Sequence, residues 1–369
     1  MTDNRITRLA EMLINHAVDL KRGENILIET TDTPAELAIE LTKAVKKAGG
    51  NAFISETRAS VKRAFILGAT DECLELQAAH DLEFMKKMQA YIAVRGAYNV
   101  LELGDIPESK MLAYRKINDP VLNQRIEKTR WCVLRWPNAS MAQSAGMSTE
   151  AFEDFYFKAC LADYPAMQEA AKPLIKLMSG TDKVRLVAKD TDITFSIKGI
   201  GAVPCCGKMN IPDGEVYSAP VRGSINGVIH YNTPTLYEGK RFENIRLTFK
   251  DGKIVDATSS DTAAMNAIFD TDPGAREVGE FSLGFNPYVT KPMCDILFDE
   301  KIAGSIHFTP GRCYTDAFNG NRSSIHWDLV LIMRPEYGGG EIWFDDRLIR
   351  KDGLFVADEL KHLNPDRLK

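Results

Sequence analysis

The sequence predicts two domains of different class: an α/β domain with a mostly parallel sheet over residues 1–180, then a mainly β (α+β) domain over residues 181–369. Three observations predict this. Short apolar strands alternate with amphipathic helices in the first half, the pattern of a parallel sheet with helices on its faces. Near Thr181 the texture changes to frequent turns and short alternating segments. A length of 369 residues, at roughly 100–200 residues per domain, accommodates about two domains.

The elements follow in order. Ile6, Leu9, Met12, Leu13 and His16/Ala17 recur at helical spacing, which predicts an amphipathic helix over 5–19 that Arg22-Gly23-Glu24 breaks. Asn25–Glu29 reads as a strand. Thr33-Pro34 predicts a helix start, with a capping hydroxyl and proline at the first helical position. That helix should run to Ala48 and stop at Gly49-Gly50. Asn51–Ser55, Tyr91–Val94 and Trp131–Leu134 are the next strands. Phe152, Phe155, Tyr156 and Phe157, in the helices of 148–178, read as core or a domain interface. Val184–Ala188 and Ile193–Ile197 form a strand pair joined by Lys189–Asp192. Asp251-Gly252, inside Thr248–Val255, predicts a hairpin with a type I′ turn. One helix is expected over 260–270. There is no internal repeat and no low-complexity segment.

Composition excludes several classes. Hydrophobic residues at 44% and charged residues at 26% describe a globular chain, not a disordered or fibrous one. The net charge of −5 offers no overall field for nucleic acid or anionic lipid, so neither nucleic acid nor membrane is an expected partner. The polar start Met1–Arg5 leads into no signal-peptide-like apolar run, and the longest aliphatic stretch, Leu329–Met333, is far short of a membrane span. Seven scattered cysteines without a Cys-x-x-Cys read as reduced thiols, and a cytoplasmic location is expected. Asn138-Ala-Ser140 and Asn321-Arg-Ser323 match the glycosylation pattern by chance. The chain has no P-loop, no Gly-x-Gly-x-x-Gly, no Gly-x-Ser-x-Gly and no His-Glu-x-x-His.

Candidate chemistry gathers in the second half. His307 and His326 each sit inside an apolar, strand-like run. Asp328 follows His326 by two residues, the spacing that puts both on one face of a strand. Two imidazoles and a carboxylate form a transition-metal ligand set. Glu215 and Glu280 each follow a glycine and precede an apolar segment. Singly, each reads as a solvated acid at a strand start. Together, three carboxylates and two histidines suffice for two divalent ions sharing a bridging carboxylate.

At this point the sequence resembles the metallo-aminopeptidases of the aminopeptidase T and aminopeptidase S type. The likeness lies in Asn210-Ile-Pro-Asp-Gly-Glu-Val-Tyr-Ser-Ala-Pro220, Val278-Gly-Glu280, Leu297–Glu300 leading to His307 with Tyr314 beyond it, and Ser324-Ile-His-Trp-Asp328. Trp136–Gln143 and Phe152–Phe157 fit as well. The resemblance implies a C-terminal catalytic domain in which Glu215, Glu280, His307, His326 and Asp328 bind two divalent ions (zinc, cobalt or manganese). It also implies that Glu280 accepts a proton from water, that Tyr314 stabilises the tetrahedral intermediate, that short peptides are the substrates and that the protein is a homodimer. Only 11 residues separate Tyr314 from His326, fewer than the resemblance leads one to expect, which implies a trimmed loop beside the site. Two alternatives stand beside this reading. One is a mononuclear Fe(II) ring-cleaving dioxygenase of the dihydroxypyridine type, built on His307, His326 and Asp328. The other is a dimeric binding protein that kept the fold without activity.

Overall fold

The computed structural model describes residues 3–96, 98–237 and 239–369. The chain divides into two compact units: Met1–Leu161 with Gly207–Ile211, and Ala162–Cys206 with Pro212–Lys369.

The first unit is built on strands β1 (Asn25–Thr31), β2 (Asn51–Thr57), β3 (Ala90–Arg95) and β4 (Arg130–Arg135), with the short segment Asn210–Ile211 as a fifth. Their order is β2-β1-β3-β4-(210–211), and every pair is parallel. Ala90–Val94 and Ile26–Ile28 are buried throughout, the near-continuous apolar run expected of central parallel strands covered on both faces. Helices α1 (Asn4–Met12), α2 (Ala35–Ala48), α3 (Ala59–Gly68), α4 (Asp71–Met85), α5 (Glu108–Lys128), α6 (Ala139–Ser144) and α7 (Thr149–Cys160) complete it. Helix α2 buries Leu37, Ala38, Leu41, Ala44 and Val45 along one stripe and ends at Gly49, whose φ of 79° closes the last turn.

Two local expectations differ from the structure. Pro34 is extended and occupies the cap position of α2, so Thr33 lies one residue too early and its buried Oγ1 has no partner. The first helix does not run evenly to 19: after Met12 it widens into a π turn, Leu13–Ala17. The aromatic cluster is core, with Phe152, Tyr156 and Phe157 almost wholly buried. Asn138 is a helix cap, its side chain accepting from Met141 N.

In the second unit, helix α8 (Tyr164–Gly180) opens the sequence, so the unit begins before the expected boundary near 180. An eight-stranded sheet runs 253–258, 246–250, 226–230, 191–196, 183–188, 340–344, 347–351, 354–355. A five-stranded sheet runs 330–332, 305–310, 278–284, 215–218, 203–205. All pairs in both are antiparallel. The predicted hairpin is present, with Asp251 and Gly252 both at positive φ. The expected helix over 260–270 spans Thr262–Phe269. The two sheets meet through aromatic rings: Phe195 lies 5.0 Å from both Phe281 and Phe308, and Phe249 lies 5.8 Å from Phe308. No disulfide links any of the seven cysteines. No helix among the described residues is long and apolar enough to cross a membrane.

Candidate metal centre

Strand alternation sends Phe281, Leu283, Ile306 and Phe308 into the core between the sheets and leaves the residues between them on the opposite face. Register then assembles a polar row on that face. Ser282 pairs with both Tyr217 and His307, Glu280 with Thr309, Glu215 with Gly284, and Cys205 with Glu215. A register shift at Gly279 bends the strand beside Glu280. A Cβ on Gly279 would lie 2.3 Å from the Arg312 carbonyl, so only glycine lets that segment cross here. Arg312 N bonds Ile325 O and Trp327 N bonds Pro310 O, which fixes the backbone on either side of His326. Gly284 is constrained in the same way: a Cβ there would meet Ile302 O at 2.7 Å and Glu300 O at 2.8 Å. The loop carrying Glu300 and Lys301 therefore lies directly on the strand.

All five predicted ligand residues converge. His307 Nε2 is 3.1 Å from Glu280 Oε1, and His307 Nδ1 is 3.4 Å from Glu215 Oε2. His326 Nε2 is 3.3 Å from Glu280 Oε2 and 3.2 Å from Asp328 Oδ1. Glu280 thus belongs to two sets, Glu215–Glu280–His307 and Glu280–His326–Asp328, each with donor atoms within 4.8 Å of one another. Neighbouring groups hold these side chains in place. Ser282 Oγ donates to Glu215 Oε2 at 2.9 Å, Thr309 Oγ1 to Asp328 Oδ1 at 2.7 Å, and His326 Nδ1 to the Arg312 carbonyl at 2.7 Å. In the neutral ring the last bond puts the lone pair on His326 Nε2, the arrangement of a metal-binding histidine. His307 Nδ1 and His326 Nε2 are buried and make no hydrogen bond of sound geometry. Orphaned imidazole nitrogens among carboxylates fit a transition-metal ion.

The electrostatics describe a cluster in need of cations. Burial opposes charge on His307, but Glu215 and Glu280 outweigh it and lift the imidazole to about 10. His326 is raised in the same way, against burial, by Asp328 and Glu280. Glu280 and Asp328 are held below the usual carboxylate range, since the two imidazoles overcome the opposing effect of burial. Tyr314 is 45% exposed, its ring 4.9 Å from that of His326 and 5.6 Å from that of Tyr217. Crowding, with the charges of Glu280 and Asp328, keeps its phenol protonated.

The sequence reading passed over Lys301, Ser282 and Thr309, and quoted Asp213 and Glu300 only inside longer matching segments without giving them a role. Burial pushes Glu300 up to about 8, and its carboxyl groups with His307 and Asp328 within 4.8 Å. Lys301 is 1% exposed and contacts Glu215, Glu300 and Asp213. The available signal was the charged run Asp299-Glu300-Lys301 between the apolar segments 296–298 and 302–303.

Residues 2–336 match the family model described as thermophilic metalloprotease (M29). Aminopeptidase PepS of Streptococcus thermophilus is 24% identical over 383 residues, covering 88% of this chain and 91% of that protein. Aminopeptidase 2 of Geobacillus stearothermophilus is 34% identical over 141 residues, covering 33% of this chain and 34% of that protein. Among solved structures, wild-type AmpT from Thermus thermophilus superposes with a TM-score of 0.79 at 20% identity, covering 96% of this chain and 99% of that one. The 2,5-dihydroxypyridine dioxygenase of Pseudomonas putida gives a TM-score of 0.62 at 13% identity, covering 98% and 99%. At these identities the two structures attest a shared fold.

Proposed function

The chain belongs to the thermophilic metalloprotease family M29, and from that premise we propose that it is an aminopeptidase releasing the N-terminal residue of short peptides at a dinuclear metal site. The observation that carries this reading is Glu280 standing in two ligand sets, each completed by a buried imidazole nitrogen without a hydrogen bond. Glu215, Glu280 and His307 would hold one divalent ion, and Glu280, His326 and Asp328 the other, with zinc, cobalt and manganese all suited to such ligands. When bound, the two ions supply Lewis-acid polarisation of the scissile carbonyl and bring the pKa of water from 15.7 toward about 7.

The chain's own groups do the rest. Glu280 takes the proton of the attacking water and returns it to the departing amine, a role worth about 10²–10⁴-fold. Tyr314 donates its O–H to the developing oxyanion, worth about 3–4 kcal/mol by comparison with other single donors. Thr309 and the Arg312 carbonyl hold Asp328 and His326 beside Glu280. The two-histidine, one-carboxylate dioxygenase alternative needs a single iron and leaves Glu215 without a task. The approach of Glu215 to His307 favours the dinuclear reading. We also assign a homodimer, by resemblance, and a reducing cytoplasmic setting, by cysteine usage.

The test is metal analysis together with hydrolysis of short peptides. Two ions per chain, and release of N-terminal residues only with metal present, are expected. Glu280→Gln should lower kcat by at least about 100-fold. One iron per chain with oxygen uptake, or full activity in Glu280→Gln, would overturn the proposal.

A further inference from the structure

Lys301 has no part in the reaction just described, yet it is as deeply enclosed as His307, at 1% exposed. Its Nζ contacts Glu215 Oε1 and lies 2.8 Å from Glu300 Oε1 and 3.4 Å from Asp213 Oδ1. Asp213 and Glu215, with Cys205, themselves form a set with donor atoms within 4.8 Å, the spacing of a cation site. The lysine nitrogen sits against both of these acids. Its backbone is fixed on both sides: Lys301 N bonds Phe298 O at 2.9 Å, and Asn286 N bonds Lys301 O at 3.0 Å.

Both oxygens of Glu215 are therefore committed. Oε1 faces Lys301, and Oε2 faces Ser282 and His307. The carboxylate cannot turn, and it presents one oxygen to the imidazole. The two proposed ligand sets are otherwise alike, each having two carboxylates and one imidazole. By composition they would bind the same ion equally well. Lys301 breaks the equivalence, because its charge rests on a carboxylate of one set and it has no hydrogen bond or ion pair with Glu280, His326 or Asp328.

We propose that Lys301 is a positioning residue that acts as a built-in cation, holding Glu215 to a single free oxygen and making the ion at Glu215–Glu280–His307 the weaker and more exchangeable of the two. This rests on the dinuclear reading. The same ammonium provides the counter-charge for Asp213 and Glu215 when no metal is bound, so it lets the metal-free unit keep these acids buried.

The experiment is calorimetric titration of chelator-treated full-length protein with cobalt(II), with thermal melting measured in parallel. The wild type should take up two ions in steps at least tenfold apart in Kd. In Lys301→Met the weaker step should tighten by at least tenfold, and the melting temperature should depend on cobalt far more than in the wild type. An unchanged or weakened second step in that variant overturns the proposal. Should Lys301→Met not fold, Asp213→Asn decides. With one competing acid neutralised, more of the ammonium's charge falls on Glu215, and the weaker step should weaken by a further threefold or more while the tighter one stays put. No change in Asp213→Asn overturns the proposal. Two wild-type ions of equal affinity defeat the lysine's role alone, whereas a single ion per chain defeats the dinuclear reading as well.

Discussion

Replacing Asp272 by asparagine should loosen the segment that leads to His326, and the size of the effect can be worked from the structure. Asp272 Oδ2 accepts from Ser323 Oγ at 2.9 Å, Ser324 N at 2.8 Å and Ser324 Oγ at 2.7 Å, while Oδ1 accepts from Gly274 N at 2.8 Å. Partial burial opposes the charge, but these donors win and bring the carboxyl to about 2 from an ordinary 3.8. At 1.36 kcal/mol per unit this shift is worth at most about 2.4 kcal/mol, and solvent screening of a partly exposed group reduces it to about 1–2 kcal/mol. The sign follows from linkage. A carboxylate whose folded pKa is depressed adds stability that is complete above its unfolded pKa of about 3.9 and is lost as pH falls through about 2. Asp272→Asn should therefore be about 1–2 kcal/mol less stable than the wild type at neutral pH, with the gap narrowing steadily below about pH 4. Urea unfolding of both proteins across that range measures it. Equal stability at neutral pH, or a gap that stays constant down to about pH 3, would refute the reasoning.

Other expectations can be checked together. Phe308→Ala, which removes the ring that Phe195 and Phe249 pack against, should cost about 3–5 kcal/mol in urea unfolding. Tyr314→Phe should lower kcat on a peptide substrate by about 10²–10³-fold with KM little changed and metal content intact. Thr309→Val removes the donor to Asp328 Oδ1 and should weaken cobalt binding at the Glu280–His326–Asp328 set by about 10–100-fold, read by titration. A chelator should abolish peptide hydrolysis, and zinc, cobalt or manganese should restore it.

Much of the fold was legible because hydrophobic period and turn residues act locally. The parallel sheet followed from apolar runs such as Ala90–Val94, and the hairpin from Asp251-Gly252, whose two residues both adopt positive φ. The first-helix end was less legible: nothing in Leu13–Ala17 distinguishes a π turn from an α turn. Thr33-Pro34 misled by one position, since proline suits both the cap and the first helical residue. In the site, Glu280 and His307 could be found because the period of two makes an acid or imidazole between apolar neighbours conspicuous in a strand, whereas the strand expected at His326 and Asp328 is absent: His326 makes only an isolated bridge to Gly311 and Asp328 lies outside any strand. Lys301 and Glu300 stand out only as charge between apolar segments, and nothing local places them at the cluster, because they reach it through a loop whose path depends on Gly284, 16 residues from Glu300 in the chain. Asp272 acts on the His326 segment across 52 residues, a separation no local pattern encodes.

The fifth strand of the parallel sheet comes from residues 210–211, after the chain has already built helix α8 and three strands of the other unit. No single cut can excise the first unit intact. A fragment ending near residue 161 would expose the bare edge of β4, whose unpaired N–H and C=O groups invite pairing with another chain. During synthesis, at about 5–20 residues per second, that edge stays open for about 4–15 seconds before its own partner emerges. Aggregation of nascent or truncated chains should therefore begin at Arg130–Arg135, and a fragment carrying residues 207–211 on a tether should be markedly more soluble than one without them.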